Sequence, residues 1–214
     1  MKKVVLLVAF PIFLFIFVCG CDAPSVKPYE EVKDGIDFKA LYEQYNSTNY
    51  HLEIASENLV KYLTADNVDE VLGGTSVIYF GYPTCDGCRM LVDLLLEYSS
   101  DYNFPIYYVD LANERSIYQV ANDALVKVQS GSDLYVKLLK YFDSYLEPLK
   151  ITQDDKEYEA PEKTIASPSL AIVKDGEVET FLDSFACQET EVCSSGEADF
   201  RKSVMEAFQN YLTI

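Results

Sequence analysis

The spacing of apolar and polar residues from position 59 onwards predicts strands and helices in alternation. Three segments, 59–63, 76–80 and 105–109, are rich in β-branched and aromatic residues, as the strands of a buried sheet are. A short helix is predicted over 64–72, and a longer one over 88–99, where apolar residues recur at helical spacing. Because strands that alternate with helices are joined by crossover connections, this order predicts an α/β fold with a parallel core.

The alternation is interrupted after the third strand. Residues from about 115 to 150 carry apolar positions that fit two helices separated at Ser130-Gly131-Ser132, so we predict a helical insertion there. The strand pattern returns at 169–173 and at 178–182, and the Asp-Gly pair between these strands is typical of a hairpin turn. A last amphipathic helix is predicted from 195 to 211.

The N-terminus has the layout of an export signal. Two lysines follow Met1, residues 4–18 are almost wholly apolar, and Val18-Cys19-Gly20-Cys21 comes next. These four residues resemble the lipobox of bacterial lipoproteins, which implies that residues 1–20 are removed and that Cys21 becomes the lipidated first residue. An uncleaved membrane anchor is the alternative, although the apolar run is short for a full span.

Both interpretations place the rest of the chain outside the cytoplasm, attached to the bacterial cell membrane. Residues 21–57, with a short helix predicted over 37–45, are interpreted as the lipidated cysteine and a spacer, and residues 58–214 as the folded domain. The formal charge of −18 argues against nucleic-acid binding and against electrostatic adhesion to anionic lipid. We therefore expect contact with the membrane only through the lipid anchor.

Six cysteines occur in the chain, and four of them lie beyond the predicted signal and anchor. They form two close pairs, Cys85/Cys88 and Cys187/Cys193, and paired thiols in an exported protein are typical of disulfides. Cys187 and Cys193 enclose a polar loop, so we interpret them as a structural disulfide. The alternative is a second redox pair that relays electrons to the first.

Cys85-Asp86-Gly87-Cys88 lies directly after a predicted strand and at the start of a predicted helix. Two sulfurs at this spacing close a disulfide easily, and the unpaired amides at a helix N-terminus stabilise a thiolate on the first sulfur. We therefore predict a redox-active dithiol in which Cys85 attacks and Cys88 resolves, with no metal or organic cofactor. The alternatives are a structural disulfide, although so short a loop constrains little, and half of a zinc site, which would need two further ligands.

The chain resembles the thioredoxin-like superfamily in two segments. The first is Val-Ile-Tyr-Phe-Gly-Tyr-Pro-Thr-Cys-Asp-Gly-Cys-Arg at 77–89, and the second is Ile-Ala-Ser-Pro-Ser-Leu-Ala-Ile-Val-Lys-Asp-Gly-Glu-Val at 165–178. The resemblance implies a central mixed sheet with flanking helices and a cis-proline at Pro168 that packs against the active-site sulfurs. It also implies that Ser167 presents its backbone to an extended substrate. Within the superfamily the chain is similar to exported thioredoxin-like and bacteriocin-accessory lipoproteins of Gram-positive bacteria.

Three features depart from the thioredoxin pattern. Thr84, which we include in the substrate-binding surface, replaces a tryptophan, and Tyr79 replaces a buried acid that assists proton transfer from the second thiol. Asp86 and Gly87, between the cysteines, are expected to tune the dithiol. A carboxylate within about 6 Å of a thiolate costs on the order of 1–3 kcal/mol, and the helix N-terminus opposes this by up to about 1–2 kcal/mol. Because these two effects on the Cys85 thiolate nearly cancel, the sequence predicts a mild oxidant or a reductant.

The sequence thus predicts a membrane-anchored, extracytoplasmic thiol–disulfide oxidoreductase. Its partners would be exported proteins with thiols or disulfides, and a redox partner that resets the dithiol. One alternative is a non-catalytic thioredoxin-fold module, an accessory for secretion or bacteriocin processing, because the buried acid and the tryptophan are replaced. Another is a copper-handling protein in which Met90 adds a soft ligand to the two thiols, although Met90 also fits an apolar helix face.

Overall fold

The computed structural model describes residues 34–47, 50–183 and 196–212. Within these ranges the chain forms the α-helices Gly35–Glu43 (α1), Val68–Gly73 (α2), Asp86–Tyr102 (α3), Leu111–Glu114 (α4), Asp133–Tyr141 (α5) and Gly196–Leu212 (α6). Its strands are Val60–Tyr62 (β1), Ser76–Gly81 (β2), Ile106–Asp110 (β3), Ile117–Ala121 (β4), Ala124–Gln129 (β5), Glu147–Gln153 (β6), Lys156–Thr164 (β7), Ser169–Lys174 (β8) and Glu177–Asp183 (β9).

Five strands form a central sheet in the order β1-β3-β2-β8-β9. Strand β3 pairs in parallel with β1 and with β2, as the alternation of strands and helices predicts. Strand β8 pairs antiparallel with both β2 and β9, which makes the sheet mixed. The prediction of an α/β fold with a central mixed sheet is therefore confirmed. The middle strand β2 is buried at every position, as expected for a strand covered on both faces.

Two apolar layers cover the two faces of this sheet. Because successive side chains of a strand point to opposite faces, Val77 and Tyr79 of β2 belong to one layer and Ile78 and Phe80 to the other. The first layer contains buried residues of α1, α3 and α6, and the second contains those of α2 and α5. Tyr79 and Cys88 are in the same layer, so this face of the sheet lies beneath the dithiol.

Helix α1 is part of this core. Asp34 caps the helix by accepting a hydrogen bond from the Ile36 N–H at 2.9 Å. Phe38 and Tyr42 are buried against the sheet in the layer that contains α3. The helix predicted over 37–45 is therefore present at Gly35–Glu43. Part of the stretch interpreted as a spacer thus packs into the same core as the following domain.

The insertion differs from the prediction of two helices at about 115–150, because only its second helix is present, as α5. The first half is the hairpin β4–β5, whose turn residues Asn122 and Asp123 both have positive φ, 51° and 60°. A second hairpin, β6–β7, follows α5 and turns at Asp154 and Asp155, with φ of 52° and 59°. These are the dihedral signs of type I′ turns, but neither pair contains the glycine that makes such turns easy to recognise in a sequence.

Cys21, Cys187 and Cys193 lie outside the described residues, as does the predicted signal at 1–20. Lipidation and the second disulfide therefore stay predictions. In the part of the chain that the structure describes, no helix combines the length and the apolar character needed to cross a membrane.

Candidate dithiol active site

The dithiol lies where the central strand β2 passes into helix α3. The strand ends at Gly81, the Cys85 N–H donates to the Tyr82 carbonyl oxygen at 3.2 Å, and α3 begins at Asp86. Cys85 is the N-cap of the helix, since its sulfur accepts a hydrogen bond from the Cys88 N–H at 3.1 Å. The amides of the first helical turn lack partners within the helix, so a thiolate on Cys85 would be stabilised here.

The two cysteines form a disulfide and differ in exposure. Their Cα atoms are 5.1 Å apart. Cys88 has no exposed surface and packs in the apolar layer beneath α3, whereas Cys85 is partly exposed. Of the two cysteines, only Cys85, at the N-terminus of α3, is therefore accessible to a large substrate. The sequence predicted the same placement of the two cysteines.

Pro168 lies directly against the first turn of α3. The Ser167–Pro168 peptide bond is cis, and a Cβ built on Gly87 would stand 3.2 Å from the Pro168 Cδ. Pro168 is buried and Ser167 is partly exposed just before β8. The fold thus brings two segments that are far apart in the sequence into contact at the dithiol, as the resemblance to thioredoxins implied.

Thr84 and Asp86, the neighbours of Cys85 in the sequence, are both exposed. Solvent screens an exposed carboxylate more strongly than a buried one, so the destabilising effect of Asp86 on a thiolate is at the lower end of its range. The predicted tuning residue is therefore present at the site, at an exposed position.

Tyr79, which stands where thioredoxins have a buried acid, lies beneath Cys88. Its hydroxyl donates to the Cys88 carbonyl oxygen at 2.9 Å and is 3.4 Å from the Tyr42 hydroxyl. A Cβ built on Gly81 would stand 2.6 Å from the Tyr79 hydroxyl and 3.2 Å from the Cys88 sulfur, so glycine leaves room for both groups. Burial, followed by the neighbouring Tyr42, raises the pKa of Tyr79 well above its usual value. Tyr79 is therefore a neutral hydrogen-bond donor under ordinary conditions.

Arg89 follows Cys88 and is completely buried. Its Nη1 donates to the carbonyl oxygens of Tyr42 in α1 and of Pro83 in the turn before the dithiol. The sequence interpretation assigned no role to Arg89 or to Tyr42. A signal for Arg89 was available, because it stands three residues before Val92 on the apolar side of α3, where a charged side chain needs partners.

Metal ligation was an alternative role for the residues around the dithiol. Among the described residues, no three or more His, Cys, Asp or Glu side chains are grouped so as to bind a metal ion. Met90 is partly buried in α3, and its carbonyl oxygen accepts a hydrogen bond from Arg201 Nη1 at 2.9 Å. The partly buried position agrees with a packing role for Met90, which was the alternative to copper ligation.

Comparison with solved structures finds thioredoxins. The oxidised thioredoxin from Plasmodium falciparum matches with a TM-score of 0.39 and 12% identity, over 72% of this chain and 98% of that one. Oxidised thioredoxin O1 from Arabidopsis thaliana matches with a TM-score of 0.38 and 16% identity, over 70% of this chain and 97% of that one. The thioredoxin from Malassezia sympodialis matches with a TM-score of 0.40 and 14% identity, over 77% of this chain and 99% of that one.

No protein-family model matches the chain, and no curated protein matches it. At these sequence identities, the likeness to the thioredoxins concerns the fold and says nothing about substrates or partners. The mixed α/β architecture of this chain, a central mixed sheet with flanking helices, rests on its own strand pairing and helices.

Proposed function

We propose that this protein is a thiol–disulfide oxidoreductase that acts on the cysteines of exported proteins. One observation supports the proposal above all others. A partly exposed Cys85 and a buried Cys88 form a disulfide at the N-terminus of α3, where Pro168 lies against Gly87, one of the two residues between them. In this geometry Cys85 is accessible to a substrate and Cys88 is shielded beside it, a difference that a purely structural crosslink does not require.

The reducing direction uses the two sulfurs in turn. The Cys85 thiolate attacks one sulfur of a substrate disulfide, forms a mixed disulfide and releases the first substrate thiolate. The Cys88 thiolate then attacks the Cys85 sulfur, which restores the disulfide between the two cysteines and releases the second substrate thiolate. Two electrons pass from the dithiol to the substrate, and solvent protonates the released thiolates. Oxidation of a substrate dithiol runs through the same steps in reverse.

The surroundings of the dithiol support this division of roles. The first turn of α3 stabilises the thiolate of Cys85, and burial protects Cys88 from external disulfides until a mixed disulfide forms beside it. Ser167 is partly exposed next to Pro168 and would pair its backbone with an extended substrate segment. Thr84, which is exposed beside Cys85, would contact the same segment.

The cellular setting is part of the proposal. Lipidation of Cys21 would tether the domain to the outer face of the bacterial cell membrane, where exported chains emerge. A separate redox partner would reset the dithiol after each turnover. The test of the tether is Cys21→Ser, which should move the protein from the membrane fraction to the medium. Retention in the membrane fraction would favour the uncleaved anchor instead.

The catalytic proposal is tested by trapping the mixed disulfide. Cys88→Ala removes the resolving thiol, so cells that produce this variant should accumulate clients bound through Cys85, visible on non-reducing gels and released by dithiothreitol. The matched control combines Cys88→Ala with Cys85→Ser, which leaves no attacking sulfur and should trap nothing. The purified wild type should also accelerate the reduction of insulin. If neither adducts nor insulin turnover were found, the non-catalytic accessory module would be the better explanation.

A further inference from the structure

Arg89 is the largest fully buried side chain among the described residues. Its Nε and Nη2 both donate to the Tyr50 carbonyl oxygen, at 2.9 and 2.7 Å. Its Nη1 donates to the carbonyl oxygens of Tyr42 and Pro83, at 2.8 and 3.0 Å, and its Nη2 also donates to the Asn46 Oδ1 at 2.6 Å. The guanidinium has five N–H groups, and this set of contacts uses all of them.

The acceptors of Arg89 are all neutral. Within the described part of the chain, no carboxylate forms an ion pair with it. A cation that is removed from water and lacks an anionic partner is costly, even when its hydrogen bonds are satisfied. Tyr42 lies in the last turn of α1, and the negative end of that helix dipole offsets only part of this cost. A second source of negative charge is therefore expected close by.

The dithiol is such a source when it is reduced. The guanidinium donates to the carbonyl oxygen of Pro83, two residues before Cys85, and the backbone N–H of Arg89 donates to the Cys85 carbonyl oxygen at 3.0 Å in the first turn of α3. Arg89 thus contacts the first turn of α3 and the turn that precedes it, and Cys85 lies between the two. The disulfide carries no charge, whereas reduction creates a thiol at Cys85 that can ionise, two residues after the Pro83 carbonyl oxygen that the buried cation contacts.

We propose that Arg89 is a positioning residue of the dithiol that joins the Cys85 turn to α1 and supplies a buried positive charge that favours the reduced, ionised state. The inference rests on the proposed redox role of Cys85 and Cys88 and adds a determinant of their equilibrium. Reduction by glutathione converts the disulfide and two glutathione thiols into the dithiol and one oxidised glutathione. The proton of Cys85 then passes to solvent, and Arg89 stabilises the thiolate that remains.

This charge changes the balance expected from the sequence. Asp86 on the first turn of α3 opposes the thiolate but is exposed and screened, whereas Arg89 favours the thiolate and is buried. From the sequence, the unfavourable effect of Asp86 on the Cys85 thiolate and the favourable effect of the helix N-terminus nearly cancel. The charge of Arg89 should therefore make the reduced form more stable than these two effects alone would. A more stable reduced form makes the disulfide a stronger oxidant.

The experiment measures the equilibrium of the purified protein with reduced and oxidised glutathione, by counting free thiols after acid quenching. Arg89→Met removes the charge, and Arg89→Lys retains it while losing the planar fork. Asn46→Asp leaves Arg89 in place but sets a carboxylate against its Nη2. Gln44→Glu is the matched control, since it adds the same charge at an exposed position in the turn after α1.

Arg89→Met and Asn46→Asp should each lower the equilibrium constant for reduction by about 10-fold, or about 30 mV for a two-electron couple. Arg89→Lys should stay within about 3-fold of the wild type, and Gln44→Glu should have no measurable effect. If Arg89→Met does not fold, as checked by circular dichroism, Asn46→Asp decides the question alone.

Two results would overturn the inference. One is an Asn46→Asp equilibrium equal to that of Gln44→Glu, and the other is an Arg89→Lys equilibrium as altered as that of Arg89→Met, which would show a purely structural role. The glutathione equilibrium requires no client protein. Failure of the wild type to turn over insulin would therefore count against the proposed function and leave the Arg89 measurement valid.

Discussion

The Tyr79 hydroxyl donates a hydrogen bond to the Cys88 carbonyl oxygen at 2.9 Å, from the apolar layer beneath the dithiol. The contact joins the middle strand of the sheet to the turn of α3 that contains the buried cysteine. A carboxylic acid at position 79 could exchange protons with a thiol, but a tyrosine whose pKa is raised by burial stays neutral and acts through hydrogen bonds. Tyr79 therefore positions Cys88 and does not act as a base towards it.

Replacement of Tyr79 by phenylalanine should lower the free energy of unfolding by about 1–2 kcal/mol. The change removes the donor to the Cys88 carbonyl and one neighbour of the buried Tyr42 hydroxyl. Urea denaturation of the disulfide form measures the effect. Tyr102→Phe is the matched control, because Tyr102 is 56% exposed, and it should change stability by less than about 0.5 kcal/mol. Equal effects of the two changes would contradict the positioning role.

Stability should fall steeply in alkaline solution. Burial raises the pKa of Tyr42, Tyr79 and Tyr108 well above the usual value of about 10, so they stay protonated in the folded protein while those of the unfolded chain ionise. The stabilisation is complete below about pH 10 and is lost as the pH rises further, by about 1.4 kcal/mol per pH unit for each tyrosine.

Urea denaturation of the disulfide form at a series of alkaline pH values checks this dependence, since the disulfide prevents Cys85 and Cys88 from titrating. In Tyr79→Phe the alkaline slope should be smaller by about 1.4 kcal/mol per pH unit, because one group with a raised pKa no longer titrates. An unchanged slope would show that other groups cause the loss of stability.

A methyl group at position 87 should impair catalysis more than folding. The new Cβ of Gly87→Ala would stand 3.2 Å from the Pro168 Cδ, so the proline ring or the first turn of α3 must shift by a few tenths of an ångström. The higher helix propensity of alanine offsets part of the cost in stability, by up to about 1 kcal/mol. Insulin reduction should slow by about 3- to 10-fold, because the attacking sulfur and the proline are displaced relative to each other.

The control for this change is Gly73→Ala at the end of α2, where an added Cβ meets nothing within 4 Å. It should leave insulin reduction unchanged. A Gly87→Ala variant with wild-type turnover would show that the contact with Pro168 is not important for substrate exchange.

The site was predictable from the sequence where a local pattern sets its geometry. A strand rich in β-formers, a turn and a dithiol at a helix start placed Cys85 and Cys88, whereas the role of Pro168 was implied by the resemblance to thioredoxin-like proteins. The Arg89 contacts were not predictable in this way. The acceptors at Tyr42 and Tyr50 are remote from Arg89 in the sequence. They are backbone carbonyl oxygens, which every residue has, so the amino-acid types at these positions do not reveal the contact.

The hairpins of the insertion escaped prediction for a different reason. In β4 only Gln119 interrupts the apolar residues, and the strand is only five residues long, so its sequence lacks the clear alternation that would separate a strand from a helix. The turns at Asn122-Asp123 and Asp154-Asp155 adopt positive φ without glycine. Asparagine and aspartate tolerate this conformation, but they also occur in loops and helix caps, so they are weak signals for a hairpin.

The turn of the second hairpin allows a last prediction. Asp155 has a φ of 59° at the second position of the β6–β7 turn, where glycine adopts the conformation without strain. Asp155→Gly should therefore stabilise the protein, by about 0.5–1 kcal/mol, and should also remove the repulsion between neighbouring carboxylates at Asp154 and Asp155. The same substitution at Asp93, an exposed position inside α3, should destabilise the protein by about 1 kcal/mol, because glycine is a poor helix former. Urea denaturation of the two variants gives opposite signs if the turn strain is real, whereas a loss of stability in both would mean that Asp155 makes a favourable contact in the turn.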